Sequence, residues 1–266
     1  MIRSDFALYF DVLLPSVLFL VITGSIFLQR KLEDTIFSLL EERKLNVREA
    51  ALTVAWMGAA VTAVVFIPGE AIQILFLAAY SYMLFYFTYM ALKRWYIAVF
   101  PPILFLSSYF FYWNLIVFNV FVVIFSMIIT VYVSGLFSWR TVWIFAALLT
   151  VMDVIQVFFT GFMGQSATKM IELKLPVLLM LPTYPPGLIV GLGLGDLFLA
   201  GLLSIQTAAK RGLKAGVLTA ATNSLAMFIF EVALLNTMLA RFFPATLVVI
   251  AGSIMGLGTT YLIKLG

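Results

Sequence analysis

Asp153 and Asp196 are acids set in otherwise apolar sequence, VMDVIQVFF at 151–159 and GLGLGDLFLAG at 191–201. A carboxylate surrounded by hydrocarbon is costly to hold and marks a functional site by default. Two of them a few ångströms apart cannot both ionise. The monoanionic pair is chemically useful, because one carboxylate removes a proton from water while its partner acid protonates a scissile carbonyl. The chain has no histidine and no cysteine. That excludes Ser–His and Cys–His hydrolysis, thiol chemistry and a His-Glu-x-x-His zinc site. The pair itself calls for no metal and no cofactor.

Matched depth supports the pairing. Ten residues separate Asp153 from Met163, and ten separate Pro186 from Asp196. With Met163 ending one span and Pro186 opening the next, helical rise puts each acid ~15 Å below the same boundary. Gly187, Gly191 and Gly195 recur every four residues before Asp196, a doubled GxxxG stripe that lets another helix approach closely. Gly193 and Gly195 also weaken the helix there. The alternative is a plain packing seam, as Gly252 and Gly256 offer near the C-terminus. Asp11 and Glu231 are two further acids in apolar runs. Asp11 lies about one turn from a span end and within reach of interfacial water, whereas Glu231, sharing a span with Asn223, suits an interhelical hydrogen bond or a proton relay.

The elements that position these acids follow from composition. Of 266 residues, 64% are hydrophobic and 11% charged, too apolar for one water-soluble core. No strand-like alternation runs through the chain, so the expected class is all-α and polytopic, embedded in a lipid bilayer. Apolar runs place nine spans near 7–28, 50–68, 70–92, 95–112, 115–136, 139–163, 186–208, 212–238 and 243–263. Residues 1–163 then form a six-span half, 164–185 an outer loop, and 186–266 a three-span half. Met1–Gln29 does not read as a cleavable signal peptide. Of the 16 Lys and Arg, Arg3, Lys169, Lys174 and Arg241 fall on the N-terminal face and the other twelve, among them Arg43 and Lys264, on the opposite one. The positive-inside rule therefore puts the N-terminus outside and the C-terminus in the cytoplasm. Within 30–49, Leu32, Ile36, Phe37, Leu39 and Leu40 recur at helical spacing between charges, which predicts an amphipathic surface helix or a solvated connector. A net charge of +4 without a basic, aromatic-interleaved patch gives no sign of a nucleic-acid partner.

Hydrolysis of a peptide bond requires an extended substrate. Val177–Met180, with Val177, Leu178 and Leu179 at its start, is bounded by prolines and too short to span. It suits a strand edge that takes up an unwound peptide, or an interfacial loop. Pro244 opens the last span without a backbone donor, on the same outer face as the 164–185 loop, so the two can form one platform above the acids.

GLGLGD at 191–196 resembles the GxGD motif of the presenilin and signal peptide peptidase family, with Asp196 in the catalytic position. VMDVIQVFFTGFM at 151–163 resembles the span around that family's first aspartate, with Asp153 in that role and Met152 where most members carry Tyr. Pro244–Ala245–Thr246–Leu247 is similar to its Pro-Ala-Leu motif, with Thr246 displacing the leucine. The resemblance covers essentially the whole chain. It implies an intramembrane aspartyl endopeptidase of the prokaryotic cell membrane, with Gly193, Leu194, Gly195 and Pro244 to Leu247 beside the substrate. The 167–182 stretch and the outward N-terminus are closer to signal peptide peptidases, which implies type II or signal-peptide-like transmembrane substrates. Oligomeric state stays open. Two other readings stand beside it: a proton-coupled transporter using the buried acids, and a prepilin-type GxGD peptidase, although Leu197–Phe198 stands where those carry a basic residue.

Overall fold

The chain is described by a computed structural model, covering residues 9–40, 44–185, 187–237 and 243–263, with backbone alone for 34–40. Arg3, Arg43, Pro186, Arg241, Lys264 and the apolar side chains expected to line the 30–49 segment beyond Leu32 lie outside the described residues or side chains. Among the described residues, eleven α-helices, one π-helical turn and one two-stranded antiparallel hairpin make up the fold. In order they are α1 (Leu13–Leu40), α2 (Val47–Phe66), α3 (Gly69–Leu92), α4 (Trp95–Ala98), α5 (Phe100–Phe111), α6 (Leu115–Ser134), α7 (Trp139–Val154), α8 (Phe162–Glu172), β1 (Leu178–Pro182), β2 (Ile189–Gly193), α9 (Leu194–Arg211), α10 (Leu213–Thr237) and α11 (Thr246–Leu262).

Six helices among the described residues are long and apolar enough to cross a membrane: α1, α2, α3, α6, α7 with the turn that follows it, and α10. Trp95–Phe111 and Thr246–Leu262 are shorter apolar helices. The run at 95–112 is divided between α4 and α5, where Pro101 and Pro102 lack the N–H groups that would continue the helix.

Local signals set most boundaries. Asn46 opens α2 and Ser138 opens α7, each with a capping box, which satisfies donors that a helix start leaves free. Asp11, expected inside its span, precedes α1, and its Oδ1 accepts from the N–H groups of Leu13 and Leu14 at 2.8 and 3.3 Å. No separate surface helix begins after Arg30, because α1 continues unbroken to Leu40.

Two expected boundaries move around the acids. The span at 139–163 stops early: Ile155–Phe159 winds as a π-helix, and Gly161 at φ +67° turns the chain into α8. The span at 186–208 does not begin as a helix, because residues 189–193 are a strand and α9 starts at Leu194. The doubled GxxxG face is thereby corrected. Gly187 sits at φ +138° in a turn, Gly191 in β2 and Gly195 in the first turn of α9, so they share no helical face.

The core is arranged around α9, which is buried continuously from Asp196 to Ala208 and packs against α1, α6, α7, α10 and α11. A helix enclosed on all sides must keep its polar groups paired. Gln206 does so by donating to Ser134 O and Phe137 O at 2.9 and 3.1 Å, which also satisfies the end of α6. A second cluster of rings, Tyr80, Phe105, Phe121 and Phe125, joins α3, α5 and α6. On the other side, α10 and α11 meet through small residues. A Cβ on Gly256 would lie 2.7 Å from Thr219 Cα, inside contact distance with backbone that cannot turn away. Gly256→Ala is therefore expected to cost about 1–3 kcal/mol through overpacking, read as a lowered Tm in detergent. An unchanged Tm would mean that the two helices do not meet this closely.

Candidate active site

Asp153 is the penultimate residue of α7, and the π-turn begins two residues later. Its register is held by the next turn, where Gln156 donates to Gly58 O on α2 at 2.8 Å and Met152 packs over the same glycine. Asp196 is the third residue of α9, and its carboxyl turns back beside Gly193, the residue that caps that helix. This is the position of the acid in a capping box. It explains glycine at 193, since a Cβ there would lie 2.9 Å from Asp196 Oδ2. Gly195 faces open space.

The two carboxyls are both buried, at 4 and 7 % exposure, and Asp153 lies close enough to act electrostatically on Asp196. Asp196 follows a strand rather than ten residues of helix, so the helical rise counted from Pro186 does not apply, and the acids stand at one helix end and one helix start. Thr246, the residue displacing leucine in the Pro-Ala-Leu-like motif, is buried beside Asp153. Its hydroxyl stands outside good hydrogen-bonding geometry and has no partner among the described residues. Pro244 is buried, Ala245 half-buried and Leu247 exposed.

The segment expected to offer a strand edge, Val177–Met180, does form a strand one residue later, at Leu178–Pro182. Its polarity is fixed by four bonds. Leu194 N–H donates to Val177 O, Thr183 N–H to Leu188 O, and Met180 is bonded away from β2 to the Asn119 side chain. Odd-numbered β1 residues therefore face β2, and even-numbered ones face outward. The outward edge of β1 is occupied at its middle and just beyond its end. Asn119 covers Met180, and Phe10 exchanges both backbone bonds with Tyr184 at 2.9 Å. Leu179 turns its backbone toward β2 and is a core side chain at 1 % exposure, whereas the outward backbone groups of Leu178 have no partner among the described residues. The same alternation turns the backbone of Ile189, Gly191 and Gly193 outward on β2. Gly193 lies against the Asp196 carboxyl. Ile189 and Gly191 have no backbone partner among the described residues, and both are exposed.

A second acid pair lies elsewhere. Asp11 and Glu231, 1 and 3 % exposed, lie close enough for Asp11 to act electrostatically on Glu231, and Asp11 Oδ2 and Glu231 Oε2 are each buried without a hydrogen-bond partner among the described residues. Sequence reasoning treated them separately because no spacing rule joins the start of α1 to the middle of α10. It also passed over Asn119, although a lone amide in the run LIVFNVFVVIF was a usable signal. Among the described residues, no three His, Cys, Asp or Glu side chains converge. An open cleft of about 660 Å³ separates α2 from α7 and is lined by Met152 and Gln156, the neighbours of Asp153 in the helix. No family model matches the chain, and no curated protein matches it in sequence.

Burial pushes the Asp11 carboxyl above its ordinary 3.8, against the pull of its two N–H donors. A raised acid contributes fully to stability below its unfolded value, and that contribution is lost as pH rises through the folded value. The Tm is therefore expected to fall as pH climbs above about 4. Asp11→Asn, which keeps an oxygen for Leu13 and Leu14 and carries no charge, should flatten that slope. Equal slopes in the two proteins would show that Asp11 does not titrate with folding.

Proposed function

We propose that the chain is an intramembrane aspartyl endopeptidase. The observation that carries this reading is the meeting of two buried aspartates, from the end of α7 and the start of α9, beside a strand edge with unpaired backbone groups. In the reaction, one carboxylate accepts a proton from water. The water oxygen attacks the scissile carbonyl carbon as the partner acid gives its proton to the carbonyl oxygen. Collapse of the tetrahedral species breaks the C–N bond, and the amine leaves with a proton returned through the carboxyls.

The substrate must present its carbonyl outside a helix, where its own hydrogen bonds do not bury it. The outward N–H and C=O groups of Ile189 and Gly191 suit an extended peptide joining the hairpin as a further strand. The strand leads through Gly193 straight to Asp196. The cleft between α2 and α7 suits lateral approach from the bilayer. The likeness of GLGLGD, the Asp153 segment and Pro244–Leu247 to presenilins and signal peptide peptidases points to type II or signal-peptide-like substrates. Adding α4–α5, α9 and α11 to the six long helices suits a presenilin-like arrangement of nine crossings, with the N-terminus outside and the C-terminus cytoplasmic in a prokaryotic cell membrane.

The Asp11–Glu231 pair favours a second reading, a proton-coupled transporter in which the two acid pairs hold protons in turn. The two readings diverge in one assay. Detergent-purified protein should cleave a tagged type II transmembrane peptide, with turnover abolished by Asp153→Ala and by Asp196→Ala and a bell-shaped pH–rate profile from the shared proton. A flat profile, or activity surviving either substitution, would sink the dyad. Proton flux in liposomes without any cleavage would favour the carrier.

A further inference from the structure

Asn119 sits in the first turns of α6, 61 residues from the strand it touches. Its Nδ2 donates to Met180 O at 2.6 Å, and its Oδ1 accepts Met180 N–H at 2.9 Å. A side-chain amide carries the same donor and acceptor as a peptide group. Here both are used on one residue, as a neighbouring strand would use them. Phe10 does the same with real backbone at Tyr184, four residues on.

Two consequences follow. The outward edge of β1 has no vacancy at Met180 or Tyr184, so an incoming strand is directed to β2. The hairpin is also anchored to the helical core at its middle, not merely at its ends. A two-stranded hairpin alone is marginal in water. This one is held by Asn119 at Met180, by Leu194 N–H at Val177 O, and by Tyr109 and Trp113 donating to Leu173 O and Lys174 O at 2.8 and 2.9 Å. Because Gly193 ends β2, leads directly into α9 and lies against the Asp196 carboxyl, whatever fixes the hairpin also fixes the approach of one of the two acids.

We infer that Asn119 is a positioning residue: its amide stands in for a strand, closes the β1 edge at Met180 and preforms the β2 edge that receives an extended peptide. This rests on the protease reading for its functional meaning, while the preformed hairpin is testable without any activity. An edge already in place saves the substrate the ordering cost of building it, which is an affinity effect before it is a chemical one. Loss of Asn119 should accordingly raise KM rather than lower kcat.

The experiment compares wild type with Asn119→Leu, close in size and without hydrogen-bonding groups. It combines hydrogen–deuterium exchange over 177–193 with steady-state cleavage of the tagged peptide. Wild type without substrate should show slow exchange at Leu179 and Leu181, whose N–H groups face β2. The variant should exchange at least tenfold faster there, with KM raised about fivefold to tenfold and kcat within about twofold. A fall in kcat at unchanged KM would mark mere loss of folded protein and overturn the inference. So would rapid wild-type exchange in this segment, a result that does not depend on the variant folding. Slow, Asn119-dependent exchange in a protein that cleaves nothing would leave the preformed edge standing and remove the protease reading instead.

Discussion

A backbone N–H or C=O withdrawn from water needs a partner inside the protein, and in a chain this apolar that demand shapes the molecule more than any single apolar contact does. Helices meet it internally except at their ends, and the ends here are met by side chains sent from elsewhere. Lys169 on α8 donates to Val64 O, Val65 O and Ile67 O at the close of α2. Gln206 on α9 does the same for the end of α6, and Gln156 reaches Gly58 O across the α2–α7 contact. The non-helical stretch at 173–193 has the most groups to satisfy. It receives Tyr109, Trp113, Asn119 and the Phe10 backbone. Set against that supply, the unpaired outward edge of β2 at Ile189 and Gly191 is the conspicuous vacancy in the described part of the fold.

The same constraint explains why the buried aspartates stand at helix ends. A carboxyl in mid-helix finds no free backbone donors, whereas one three residues into a helix can turn back to the N–H that the helix start leaves over. Asp196 turns back toward Gly193, and Asp11 accepts from the N–H groups of Leu13 and Leu14. Asp153 is close to the other kind of terminus, where the α-helical ladder gives way to a π-turn. Such turns often accompany functional sites, since they shift the side chains that follow onto a new face. Enclosing α9 on all sides then keeps water from competing for these bonds, and its contact with α7, marked by Phe145 against Phe198 at 6.2 Å, sets the approach of the two acids.

Much of this was legible in the chain. The apolar runs correspond to helices along most of their length, since hydrocarbon-length apolarity without strand alternation leaves few other folded forms. The two aspartates stood out as acids in such runs, and the structure places them together. The reasoning that paired them was partly mistaken: it counted helical rise from Pro186, where the chain instead descends as a strand. A run such as PPGLIVGLGLG fits either state, because β-branched residues and glycines every second position match a strand while the fourfold glycine spacing matches a helix face. Periodicity cannot separate the two over so short a segment.

The sequence by itself determined the chemistry on offer and the apolar helices that carry it. With no histidine or cysteine, carboxyl groups are the natural acid–base pair, and 64% hydrophobic residues give helices long and apolar enough to cross a membrane. Tertiary structure alone decided which polar groups meet: Asn119 with Met180, Asp11 with Glu231, Thr246 with Asp153, and Phe10 with Tyr184. These partners are far apart along the chain. Propensity and spacing act over a few residues, whereas the pairing of orphaned backbone and buried carboxyls is settled only when helices from both halves of the chain close around one another.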